Sequence, residues 1–161
     1  MDSTSNMAVA AVDRLYVARS IRDEIMIHLL EAAPNEGVGM LAVGDPFRDE
    51  DDLHAVEAVC FYPGTNVDRS PSRYTMEPVE VVRALREMRE EGWRLGAIVH
   101  SHLKGPATPS ATDVREAHYP DALMLIVSFA VQPATTGVWR VVPEDDLAVV
   151  QSVDFVIREG Q

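Results

Sequence analysis

The sequence predicts an α/β domain: a mixed, curved β-sheet of five to seven strands flanked by two main helices. Three observations lead there. Two segments of helical length carry apolar residues at helical spacing. Between and after them lie short apolar runs closed by Gly, Pro or Asp, as strands are. A chain of 161 residues, 47% hydrophobic and 25% charged, suits one hydrophobic core.

Taken in order, residues 1–12 begin polar and show no periodicity, so they are expected to form a flexible tail ahead of one domain spanning 13–161. Leu15 to Val17 reads as a short strand. From Ala18 to Ala32 the apolar residues Ile21, Ile25 and Leu29, with His28 partly among them, make one helical stripe that Pro34 and Gly37 end. Val38 to Val43 is a buried strand closed by Gly44-Asp45-Pro46, Phe47 to Asp52 a charged turn, and Leu53 to Tyr62 a further strand closed by Pro63-Gly64. A polar loop, Thr65 to Ser72, precedes a short strand expected at Arg73 to Met76. Pro78 suits the first turn of a second helix, whose expected stripe is Val81, Val82, Leu85 and Met88 and whose stop is Gly92. Leu95 to Val99 is a compact apolar strand. His100 to Thr112 reads as a loop, and Asp113 to His118 as one or two helical turns capped by Ser110 or Thr112. Ala122 to Phe129 and Gly137 to Val142 are strands, while Leu147 to Ile157 fits either strand or helix.

Composition excludes several function classes. Asp and Glu number 26 against 14 Lys and Arg, a net charge of -12 that would repel a phosphate backbone, so nucleic acid is not expected as a partner. No run of eighteen apolar residues suggests a membrane helix, and Met1 to Asn6 lacks the basic and apolar regions of a secretory signal. Cys60 is the single cysteine, so neither a disulfide nor a multi-cysteine zinc site can form within the chain, in keeping with an expected cytoplasmic setting.

The chemistry-bearing segment is His100-Ser101-His102, followed by Ser110 and Asp113. In extended backbone, residues two apart point to the same side, so both imidazoles can reach one metal. Asp113, eleven residues after His102 across a loop that folds back, can complete a set of two histidines and a carboxylate. Such a set leaves a position open for water, the layout of a catalytic zinc, although iron(II) accepts the same donors.

The stretch HSHLKGPATPSATD resembles the JAMM (MPN+) metalloprotease signature, His-x-His, seven residues, Ser, two residues, Asp. Pro34-Asn35-Glu36-Gly37, directly after the first helix, is similar to the setting of that family's upstream glutamate, and the likeness extends to Asn66 and Ser70 and over roughly residues 14–142. One departure is Leu103, where many members carry proline after the second histidine. The resemblance implies the MPN, cytidine-deaminase-like layered fold. It also implies one zinc per chain on His100, His102 and Asp113, with Glu36 as general base and Ser110 as oxyanion donor. The implied reaction is hydrolysis of the amide bond after the C-terminal Gly-Gly of a ubiquitin-like or sulfur-carrier protein, in the manner of the short bacterial members. In such chemistry zinc lowers the pKa of its water from 15.7 toward ~7, Glu36 takes that proton and returns it to the leaving amine, and a hydroxyl steadies the oxyanion.

Plainer roles stand beside these. A strand-end histidine can bond to backbone; Asp113 and Ser110 can be helix caps; Glu36 can be a solvated loop carboxylate. The metal site also reports reaction type better than substrate, so a zinc amidase acting on a small molecule stays open, as does a non-catalytic scaffold, or a homodimer through an apolar helix face. His28 is expected to be a satisfied boundary histidine, and His54 and His118 surface residues. Trp93 and Trp139 are expected to be core or boundary aromatics. The acidic run Asp49 to Asp52 lacks EF-hand spacing and reads as a solvated turn.

Overall fold

Alternation along the central strands decides how the layers form. The computed structural model describes residues 3–144 and 147–159. Strand β1 (Arg14–Ala18) leads into helix α1 (Arg19–Ala32), followed by β2 (Val38–Val43), the two-residue β3 (Phe47–Arg48) and β4 (His54–Gly64). Helix α2 (Pro78–Glu91), β5 (Arg94–His102), the short α3 (Ala111–Arg115), β6 (Leu123–Ser128), β7 (Thr135–Glu144) and β8 (Leu147–Arg158) complete the order. On β2, Leu41 and Val43 face one core together with Ile25 and Leu29 of α1, while Met40 and Ala42 face a second, smaller core with Ala84 and Met88 of α2. That period of two puts one long helix on each side of the sheet.

The eight strands lie in the order β1-β8-β7-β6-β5-β2-β4-β3, and β1 also pairs with β4, so the sheet curls until its ends meet. Pairs β1/β4, β1/β8 and β5/β6 are parallel, whereas β2 runs antiparallel to both β4 and β5. The parallel pair β5/β6 needs a long connection. Residues 103–122 supply it, leaving the carboxyl end of β5 and crossing above it through α3. No helix among the described residues is long and apolar enough to cross a membrane.

Several elements differ from expectation. Residues 8–12 do not hang free: Val9 and Val12 are 2% and 0% exposed in the main core, and Arg140 donates to the carbonyls of Ala10 and Val12. A polar start concealed two valines that the curled sheet needs as a plug. The segment Arg73 to Met76 forms no strand; Met76 makes a single bridge to Asn66. The buried stripe of α2 is Ala84 and Met88, with Val81 and Leu85 at its margin, while Val82 is 54% exposed, because the helix turns its small residue toward β2. Residues 147–158 are a strand, paired to both β7 and β1. At the end of α2, Gly92 adopts φ 76°, a left-handed C-cap in which its N–H bonds back to the last turn.

Candidate metal centre

Strand β5 runs on past its apolar stretch to His102, and so both histidines are strand residues. His100 and His102 share one face of the pleat with Ile98, whereas Ser101 points the other way. His100 pairs with Ile126 of β6 on one side and Val38 of β2 on the other, which leaves it fully buried. His102 is 9% exposed at the strand's end.

Asp113 reaches the histidines through a capping box. Ser110 is the N-cap of α3: its Oγ accepts from Asp113 N at 3.0 Å, and its own N–H donates to Asp113 Oδ2 at 2.9 Å. The same Oδ2 lies 3.2 Å from His100 Nε2 and 3.0 Å from His102 Nε2, and the two Nε2 atoms are 3.3 Å apart. One ligand atom from each of the three residues falls within 4.8 Å of the others. Two imidazole nitrogens and a carboxylate oxygen converging in a buried spot form a donor set that suits a divalent transition metal.

The loop after His102 is pinned at three successive carbonyls. Ser128 Oγ donates to Gly105 O at 2.5 Å, His102 Nδ1 donates to Pro106 O at 2.8 Å, and Trp139 Nε1 donates to Ala107 O at 2.8 Å. The middle bond places the proton of a neutral His102 on Nδ1 and leaves the Nε2 lone pair toward the cluster. The outer bond explains Gly137: a Cβ there would stand 2.3 Å from the Ala107 carbonyl oxygen. Leu103 therefore leaves the turn intact without proline.

Glu36 lies just before β2, held by backbone on both sides. Its N–H donates to Ser70 O at 2.8 Å and its carbonyl accepts from Asn66 Nδ2 at 3.0 Å. Its neighbour Gly37 is clamped by Ser101: Gly37 N donates to Ser101 Oγ at 2.8 Å, and Ser101 N donates to Gly37 O at 3.1 Å. Sequence reasoning passed over Ser101, although a small hydroxyl residue between two strand histidines faces the strand's other side by alternation alone.

Glu36 is 4% exposed, and its Oε1 has no partner among the described residues. Burial pushes its pKa up to about 7; nearby His102 pulls the other way and Asp113 adds to the rise. Burial would also raise Asp113, but its close contacts with His100 and His102 and the Ser110 N–H hold it well below the ordinary carboxylate range. Burial dominates at His100 and lowers its pKa. At His102 burial is the largest influence too, yet the bonds to Asp113 and to Pro106 outweigh it and the pKa is raised.

The structure thus gathers His100, His102 and Asp113 at one point, with Glu36 close enough to feel the charges of two of them. Ser110 stands as the cap of Asp113, and accepting through Oγ still leaves its hydroxyl proton to donate elsewhere. The other histidines lie apart: His28 Nε2 sits 3.0 Å from the carbonyls of both Val38 and Gly64, a boundary residue as expected, and His118 is exposed. Beside Asp113 opens a cavity of about 730 Å³ lined by Tyr74, Met76, Val81 and Tyr119 among others.

Comparison with known proteins adds an independent line. The family model described as prokaryotic homologs of the JAB domain matches residues 18–142. A Thermus thermophilus protein named "Probable TtuB-protein conjugate cleaving protease" is 42% identical over 106 residues, 65% of this chain and 64% of that protein, so the match spans just under two thirds of the relative's length. The "CysO-cysteine peptidase" of Mycobacterium tuberculosis is 32% identical over 114 residues, 71% of this chain and 73% of that one. The solution structure of a Desulfitobacterium hafniense protein aligns with a TM-score of 0.73 at 31% identity, covering 91% of this chain and 94% of the other.

Proposed function

The chain belongs to the family of prokaryotic JAB-domain homologues, and on that premise we propose that it is a zinc-dependent peptidase of the JAMM type. In this proposal it hydrolyses the amide bond after the C-terminal Gly-Gly of a ubiquitin-like or sulfur-carrier protein. The observation that carries the proposal is the pairing of a buried His100-His102-Asp113 donor set with a buried carboxylate, Glu36, whose Oε1 has no partner among the described residues. The names of the relatives, one a protein-conjugate protease and one a peptidase, support the reaction class. The curled mixed sheet with a long helix on each face supports assignment to the MPN layered fold, and we treat the chain from the buried Val9 onward as one catalytic unit.

In this proposal His100, His102 and Asp113 hold the zinc. Bound there, zinc would supply Lewis acidity, polarising the scissile carbonyl and lowering the pKa of the attacking water. Glu36 takes a proton from that water at its unpaired Oε1 and delivers it to the leaving amine nitrogen as the C–N bond breaks. Burial raises the Glu36 pKa, the direction that helps it hold the proton until the leaving amine takes it. Ser110 donates its hydroxyl proton to the developing oxyanion while its Oγ keeps the cap on α3. The carbonyl pins on residues 105–107 fix the loop that flanks the cleft, where an extended Gly-Gly tail would pair as an added strand.

A second reading, an amidase for a small molecule, draws on the cavity beside Asp113, whose volume of about 730 Å³ lies within the range of ligand pockets. One experiment addresses both. Purified wild type and His102→Ala are assayed for bound metal, then for cleavage of a carrier protein extended past Gly-Gly and of a free Gly-Gly-amide. About one zinc per wild-type chain, none in the variant, and cleavage confined to the protein substrate is the expected result. Equal rates on the dipeptide would replace the carrier reading with the amidase. A wild type that takes up no metal would overturn both.

A further inference from the structure

The two candidate histidine ligands are held in different ways. His102 has its Nδ1–H fixed by the Pro106 carbonyl, the usual means of orienting a metal-binding imidazole. His100 has no such bond: its ring is fully buried and Nδ1 has no hydrogen-bond partner among the described residues. What lies against it is an aromatic face. The Tyr74 ring stacks on the His100 ring with centroids 4.5 Å apart and planes 26° from parallel.

The loop that carries Tyr74 is tied to the Glu36 segment and to the helix that holds Asp113. Asn66, at its start, donates to the Glu36 carbonyl at 3.0 Å and to the Arg73 carbonyl at 2.9 Å. The Ser70 carbonyl receives the Glu36 N–H. Arg73, next to Tyr74, pairs at 2.6 Å with Glu116, which caps the helix holding Asp113. Tyr74 is therefore placed by bonds on both sides and is not a loop residue that happens to rest on the site.

We propose that Tyr74 is a positioning residue for His100: its ring fixes the plane of the imidazole in place of the hydrogen bond that Nδ1 lacks, and so sets the direction of Nε2. A stacking contact works through the face of the ring, so it holds whichever nitrogen carries the proton. The phenol oxygen is not needed for it. Tyr74's role presupposes the metal reading of the site, and its test is arranged so that the two can fail separately.

The test compares wild type with Tyr74→Phe, Tyr74→Leu and Tyr74→Met, the last two keeping apolar bulk without a ring, so a folding defect in one leaves the other to be measured. In metal-free protein the His100 ring protons should be shifted upfield by the stacked ring, a shift kept by the Phe variant and lost in the Leu and Met variants at an unchanged melting temperature. Zinc affinity, measured by chelator competition, should fall about three- to ten-fold in the Leu and Met variants and stay near wild type in Phe. Unshifted His100 protons in wild type, or full zinc affinity in the Leu and Met variants, would overturn the positioning role. A wild type without zinc affinity would instead overturn the metal reading, and Tyr74's role with it.

Discussion

Among the buried carboxylates of the described residues, Asp49 and Glu36 have opposite lives. Asp49, in the turn after β3, has a side chain 2% exposed and is fully served. It accepts from Tyr16 Oη at 2.7 Å, Arg14 at 2.9 Å and the backbone N–H groups of Asp51 and Leu53 at 3.0 Å. Its pKa is held down to about 2, the Tyr16 hydrogen bond being the largest cause. Glu36 is buried too, has an oxygen with no partner among the described residues, and is pushed up to about 7. Both stand where the chain enters or leaves a strand. Burial alone thus does not single out a proton-transfer carboxylate; burial without compensation keeps a proton within reach of neutral pH, as that task needs.

The comparison is broken most severely at Glu36, the proposed base. Glu36→Gln keeps the shape and removes the proton acceptor, so kcat on a carrier conjugate should drop about 10²–10⁴-fold while zinc stoichiometry stays the same. Full activity in that variant would move the base elsewhere. Next comes stability in the metal-free protein. The folded pKa of Glu36 is raised, so its contribution is fully present below about 4.5 and is lost as pH rises through about 7. Relative to Glu36→Gln, the wild type should lose about 3 kcal/mol between those limits, measured as denaturant midpoints across pH in the presence of chelator. A gap that does not change with pH would mean Glu36 is not strained by burial.

Ser101→Ala sharpens the comparison by disturbing Glu36 from behind. It leaves the buried Gly37 N–H without its acceptor, which should lower stability by about 1–3 kcal/mol and turnover by roughly tenfold as Glu36 drifts. The smallest effect on rate is expected of Asp49→Asn, which should leave kcat unchanged and lower the melting temperature. Because the Asp49 pKa is depressed, that stability difference should be present above about pH 3.8 and shrink as pH falls toward about 2. A loss of turnover in Asp49→Asn with native stability would show the two regions to be coupled.

How much of this could be read beforehand varies from element to element. His-x-His at a strand end and Asp113 beyond a Gly- and Pro-containing loop were legible as a donor set, because spacing and residue type carry the donor chemistry, whereas Glu36 was singled out only by the family resemblance. Ser110 was read as a cap and, from the resemblance, as an oxyanion donor; the structure shows the cap, in a capping box with Asp113. Tyr74 was not, since an aromatic in a polar loop gives no sign of the imidazole it will meet across 26 positions. Nor was Trp139 as the anchor of the Ala107 carbonyl, although Gly137, two residues before it on the same strand face, is the trace of that close approach.

Local rules were sufficient for much that depends on near neighbours along the chain: the two helices and their stops, most of the strands, and the residues able to hold a metal. They misplaced residues 8–12, the expected strand at Arg73 to Met76 and the stripe of α2, and left residues 147–157 undecided. Burial of Val9 and Val12 depends on a sheet that curls until β1 meets both β8 and β4. The inward face of α2 depends on Met40 and Ala42 across the layer. The same long-range packing leaves Glu36 Oε1 without a partner and lays a tyrosine ring on His100, because desolvation and stacking are properties of surroundings assembled from distant segments, and no single stretch of sequence contains them.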